Sequence, residues 1–142
     1  FPTRRSSDLN IIKNVRDWKE AIKIASKPLL EDNSIEELYI ENMIKSVEKY
    51  GPYIVLADRF ALPHASSKEG VNKLAMSLLI VEDEVDLLGK PVNIFMVLAA
   101  VDNTTHIRAL ASLSEMMYEE ENVKLIINGD KSSILELINK QN

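Results

Sequence analysis

The stretch "LAMSLLIVEDEVDLLGKPVNIFMVLAA" (residues 74–100) holds two apolar runs, "LAMSLLIV" (74–81) and "VNIFMVLAA" (92–100), parted by the acidic "EDEVDLLGKP". Neither run alternates cleanly between apolar and polar residues, as a strand with one wet face would. Both fall well short of the roughly 20 residues of a membrane-spanning helix. The spacing therefore predicts two central strands covered on both faces, with a turn-rich acidic connection between them. Strands buried on both sides need helices to cover them, and the rest of the chain supplies helical patterns.

Upstream, Asp17-Trp-Lys-Glu20 has the spacing of a capping box. Trp18, Ala21, Ile22, Ala25 and Leu29 then share one helical face, predicting a helix over 17–30 with Pro28 near its end. Ser34-Ile-Glu-Glu37 repeats the cap before a second helix that Gly51-Pro52 stops. "YIVLA" (53–57) reads as a short strand. Downstream, "VDNTTHIRALASLSEMMYEE" (101–120) changes to helical period, with Asn103 or Thr104 as N-cap. "NVKLIIN" (122–128) fits a strand or a helical turn, and Ser133-Ile-Leu-Glu136 opens a last helix to about residue 140. Interleaved helices and buried strands predict a single α/β domain over residues 10–142. The first nine residues, "FPTRRSSDL", carry no apolar periodicity and resemble a translated sequencing adapter, so they are set aside as a disordered, non-native leader.

Composition narrows the chemistry. The chain has 142 residues, 46% hydrophobic and 27% charged, with a net charge of −5 and no cysteine. Disulfides and thiolate metal sites are excluded, a reducing cytoplasmic setting suits the chain, and the acidic balance argues against nucleic acid. Two histidines without cysteine or an HExxH spacing leave no expected metal or cofactor. There is no Walker loop, dinucleotide fingerprint or nucleophile elbow. Any chemistry must then centre on His64 or His106 as nucleophile or acid–base group.

His64 follows Phe60-Ala-Leu-Pro63 and precedes Ala65, Ser66 and Ser67. Pro63 restrains the backbone that presents the ring, and the two serine hydroxyls can donate to an anion. His106, after Thr105, lies in the first turn of the helix predicted from residue 104, where unpaired N–H groups favour phosphate. If the two rings meet, they form a receptor for a phosphoryl group; the plain alternative is a pair of surface histidines. Phe60 and Leu62 alternate with Ala61 and are expected partly at the surface, as anchors for a docking protein.

Gly51-Pro-Tyr-Ile-Val55, Ala61-Leu-Pro-His-Ala65, Gly70-Val71, Pro91-Val92 and Ala99-Ala-Val-Asp102 followed by Thr105-His106 carry a resemblance. The chain from about Asn10 onward is similar to the enzyme IIA domains of the bacterial phosphoenolpyruvate-dependent sugar phosphotransferase system. The resemblance is to the mannitol/fructose type, most of all its L-ascorbate branch. It implies a mixed β-sheet flanked by helices on both faces and a helical "NVKLIIN". It also implies that His64 is phosphorylated by the carrier HPr and passes the group to enzyme IIB. His106 would stabilise the phosphorylated state; apart from the resemblance, the hydroxyls of Ser66, Ser67 and Thr105 adjoin the two histidines and are expected beside the phosphate. The protein would serve a membrane sugar permease without entering the bilayer. Members with a regulatory role, phosphorylated to signal sugar flux, share the fold, and a non-catalytic interaction module is a third reading. Three departures stand out, the first being that the Arg which mannitol and fructose members carry on the preceding helix has no counterpart in this sequence. Ser66 occupies a place where the family often has Arg, and Asp58-Arg59 replaces a common Pro-Gly. Arg59 is a candidate substitute for the lost positive charge.

Overall fold

The computed structural model describes residues 9–65, 70–102, 108, 111–112 and 114–139. Its centre is a five-stranded mixed sheet. The strands are β1 (Leu9–Ile12), β2 (Val55–Ala57), β3 (Arg59–Ala61), β4 (Ala75–Leu87) and β5 (Lys90–Ala99). They lie in the order β1-β4-β5-β3-β2. β1 with β4 and β3 with β5 are parallel, whereas β4 with β5 and β2 with β3 are antiparallel.

The two apolar runs are the paired strands β4 and β5. Successive side chains of a strand point to opposite faces, so the runs feed two cores. Leu79, Val81, Phe95, Val97 and Ala99 pack with α1 (Trp18–Glu31) and α2 (Glu37–Tyr50). Met76, Leu78, Ile80, Ile94, Met96 and Leu98 pack with Met116, Met117, Val123, Ile126 and Ile134. The latter come from a helical stretch at 114–117, α3 (Glu120–Asn128) and α4 (Lys131–Asn139). Each fully buried Leu, Ile or Phe contributes about 1.5–3 kcal/mol, so neither face is dispensable.

Several sequence expectations are corrected. The acidic stretch is no loose connection, because β4 continues to Leu87 and turns at Leu88-Gly89, both at positive φ. Acidic residues are tolerated there because Glu82, Asp83 and Glu84 sit in a bulge. β4 spends four residues between Ile80 and Val85 while β5 spends only Asn93. Leu9 is buried in β1 and pairs with Leu78, so the sheet reaches into the stretch set aside as a leader. Asp17 does cap α1, accepting from the Glu20 N–H at 2.9 Å. Ser34 does not cap α2, because its hydroxyl turns back to Asp32 and the helix starts three residues later. The last helix is capped by Asp130, which accepts from the Ser133 N–H at 2.8 Å, one turn before the cap read from sequence.

Gly70 pins the start of α2. Its φ is +84, and a Cβ there would lie 2.7 Å from the Tyr39 backbone nitrogen. Its carbonyl accepts the Glu36 N–H just before the helix. Gly70→Ala should therefore cost about 2–4 kcal/mol through positive-φ strain and the backbone clash. A urea midpoint within error of wild type would count against that close approach.

Candidate functional site

The segment Leu62–Ala65 leaves β3 and crosses the end of β5, and nearly every backbone polar group in it is held. The Leu62 N–H donates to Ile54 O at 2.8 Å, and Pro63 O accepts the Leu98 N–H at 3.1 Å. The His64 carbonyl accepts the Tyr53 hydroxyl at 2.7 Å. The Ala65 N–H donates to the Tyr39 hydroxyl at 3.2 Å, and that hydroxyl donates to Leu98 O at 2.5 Å. Pro63 has no N–H to satisfy, which suits a buried bend. The segment is a rigid mount despite lying between regular elements.

His64 itself is half-buried. Its Nδ1 lies 2.5 Å from the Leu62 carbonyl. A carbonyl oxygen only accepts, so Nδ1 carries the proton of the neutral ring and Nε2 carries the lone pair. The Tyr53 ring meets the imidazole edge-on, with centroids 5.3 Å apart and planes at 81°. This geometry gives a neutral imidazole a defined tautomer and a defined nucleophilic atom.

Tyr39 is fully buried, and that burial pushes its hydroxyl up to about 12, the Ala65 N–H pulling the other way. Tyr53 is raised too, again chiefly by burial. For a phenol raised above its unfolded value, the folded state is favoured while the group stays protonated. Stability from Tyr39 is thus full below about pH 10 and lost as pH rises towards about 12. Tyr39→Phe should flatten the fall of the urea midpoint across that window. A variant that declines as steeply as wild type would remove Tyr39 as the cause.

The predicted site residues separate into three groups. Thr105, His106, Ser66 and Ser67 lie outside the described residues, so the meeting of the two imidazoles does too. Phe60 and Leu62 are wholly buried, in the core shared with Met76 and Ile94. Their docking role is withdrawn, since the strand turns both side chains inward beneath the second helical layer. Arg59 does not supply charge to His64. It pairs with Val92 at the opposite end of the β3–β5 ladder, while Pro63 meets Leu98 six residues along. Four residues of extended chain separate Arg59 from Pro63, so at about 3.3 Å per residue the two backbones are ~13 Å apart. There the Arg59 guanidinium binds Glu84 at 2.5 Å and Asn93 at 2.9 Å. Its φ is +62, so it occupies a left-handed slot that glycine fills without strain, which explains a Pro-Gly alternative at this turn. A cleft of about 400 Å³ between Asp58, Arg59, Met117 and Lys124 also opens at that far end, away from His64.

Sequence reasoning missed the two tyrosines. Tyr39 was legible only as one apolar position of a helix face. The signal that could have found it was its hydroxyl, since a buried phenol needs a polar partner.

Known proteins share both the sequence pattern and this fold. The family model described as "Phosphoenolpyruvate-dependent sugar phosphotransferase system, EIIA 2" matches residues 5–141. The mannitol-specific cryptic phosphotransferase enzyme IIA component of Escherichia coli K12 is 35% identical over 131 residues, 91% of this chain and 89% of that protein. Its solution structure matches with a TM-score of 0.85 at 34% identity, covering 94% of this chain and 93% of that one. The ascorbate-specific EIIA component of the same organism is 32% identical over 130 residues, 88% of this chain and 84% of that protein. The E. coli mannitol enzyme IIA, solved in complex with phosphorylated enzyme IIB, shares the fold. Its TM-score is 0.84 at 17% identity, with 99% of each chain covered.

Proposed function

The chain belongs to the phosphoenolpyruvate-dependent sugar phosphotransferase system EIIA 2 family, and on that premise we propose that His64 carries the phosphoryl group of its relay. A family enzyme IIA is a phosphotransferase relay protein, and phosphocarriage in a sugar phosphotransferase system is this chain's function. In our reading phosphate arrives from HPr and leaves to enzyme IIB. Those exchanges place the protein in the cytoplasm, and no helix among the described residues is long and apolar enough to cross a membrane. His106 is assigned beside the phosphate on the family pattern, and Ser66, Ser67 and Thr105 on their hydroxyls next to the two histidines in sequence. Relatives of the mannitol and the ascorbate branch match to similar degrees, so the proposal is made for the relay and not for one sugar.

One observation carries the assignment: the Nδ1 contact to Leu62 O within a segment held by several backbone hydrogen bonds. It leaves Nε2 as the attacking atom. The Nε2 lone pair forms the P–N bond as the bond from phosphorus to the donor's nitrogen breaks, and the donor's imidazole keeps its electron pair. In the second transfer a cysteine thiolate of enzyme IIB forms the P–S bond as the P–Nε2 bond breaks, and the His64 ring keeps the electron pair. Phosphoryl transfer through a loose transition state asks chiefly for positioning and charge stabilisation, which a fixed imidazole beside donors supplies.

The experiment is incubation with phosphoenolpyruvate, enzyme I and HPr, followed by intact mass and ³¹P–¹⁵N correlation. One added phosphoryl group on Nε2 of His64 is expected. A phosphoryl group on another residue, or on Nδ1, would overturn the assignment.

A further inference from the structure

We propose that Tyr53 is a positioning residue for His64, fixing the imidazole and the peptide behind it together. The proposal rests on the reading of His64 as phosphoryl acceptor, although the contacts that support it stand without that reading. The Tyr53 hydroxyl donates to the His64 carbonyl at 2.7 Å. The same ring bears edge-on against the imidazole at 5.3 Å and 81°. One side chain therefore restrains both the backbone carbonyl and the ring plane. On its other flank the ring is held through Nδ1 by the Leu62 carbonyl.

Tyr53 also has a neighbour on α2, where Ser46 pulls its hydroxyl's pKa down against burial. Ser46 and Tyr39 are seven residues apart, two turns of helix, and so share a face of α2. Tyr39 takes the N–H of Ala65, the next peptide after His64. One helix face thereby holds the peptide after the nucleophile through Tyr39 and comes beside Tyr53 at Ser46. Among the described residues Tyr53 meets the site through the His64 carbonyl and ring edge, and its contribution is orientation.

Transfer depends steeply on placement, and an error near 1 Å can cost on the order of 10²-fold. Tyr53→Phe keeps the ring edge and loses the carbonyl bond, whereas Tyr53→Leu loses both. In ¹⁵N-histidine spectra of the unphosphorylated protein, wild type should show a protonated Nδ1 and an unprotonated Nε2. Averaging of the two shifts should grow from wild type to Tyr53→Phe to Tyr53→Leu. HPr-dependent phosphorylation should slow a few-fold in the first and about tenfold or more in the second. Tyr53 is partly exposed, so both variants should stay folded. Should Tyr53→Leu not fold, Tyr53→Phe decides the matter. Folded variants that keep the wild-type tautomer spectrum and rate overturn the proposal. If wild-type His64 takes no phosphate, the acceptor assignment fails, while the tautomer spectra still decide whether Tyr53 orients the ring.

Discussion

His64→Ala should reduce phosphate uptake from HPr by at least ~10³-fold, since the nucleophile of a covalent relay is removed outright. The fold should survive. His64 is half-buried, and the substitution deletes one Nδ1–H···O bond and one edge contact, worth about 1–2 kcal/mol together. The measurement pairs intact mass after treatment with phosphoenolpyruvate, enzyme I and HPr with a urea titration. Uptake that persists in a folded variant, with the group mapped to another residue, would refute His64 as acceptor.

Phe60→Ser should be the most damaging change to stability. Phe60 is fully buried among Leu62, Met76 and Ile94, so the substitution opens a phenyl-sized cavity and places a hydroxyl in it. Large aromatic truncations of this kind cost about 3–5 kcal/mol, and an unpaired hydroxyl adds about 1–3. Against a total of about 5–15 kcal/mol typical for a domain, that leaves little. The urea midpoint should collapse, while the phosphorylation rate per folded molecule stays near wild type. A folded variant with a normal midpoint and a slowed reaction with HPr would instead reinstate Phe60 as a docking residue.

Phe60 also shows what kind of information the sequence holds. The α/β class was legible because uninterrupted apolar runs at 74–81 and 92–100 permit little but strands buried on both faces. The histidine segment was legible because Pro63-His64 is flanked by residues that do not continue a regular element. What was not legible is orientation. Alternation puts Phe60 and Leu62 on one face of β3, but only the layer formed by 114–117, α3 and α4 decides that this face is inside. The brace was hidden for a related reason. Tyr39 and Tyr53 act through hydroxyls whose partners are carbonyls 59 and 11 residues away, and no local spacing encodes such pairs. Caps failed where two acceptors competed. Asp130, not Ser133, takes the orphan N–H, and Ser34 spends its hydroxyl on Asp32.

The bulge at Asn93 bears on how the two central strands find their alignment. In most sheets a slip of one residue is punished because it turns greasy side chains to water. Here β4 and β5 are apolar on both faces, so a slipped pairing would still bury them, and oiliness alone is a poor guardian of register. Asn93 is the buried polar exception in β5. Its amide donates to Val81 O and Glu82 O, and its oxygen accepts from Arg59, all within or beside the bulge. Any other alignment would carry that carboxamide to a place without those three partners, in an interior where an unmatched amide is expensive. A single polar side chain thus acts as the key that lets one pairing of two otherwise interchangeable strands lock, and so sets Leu98 opposite Pro63, where the histidine loop is anchored.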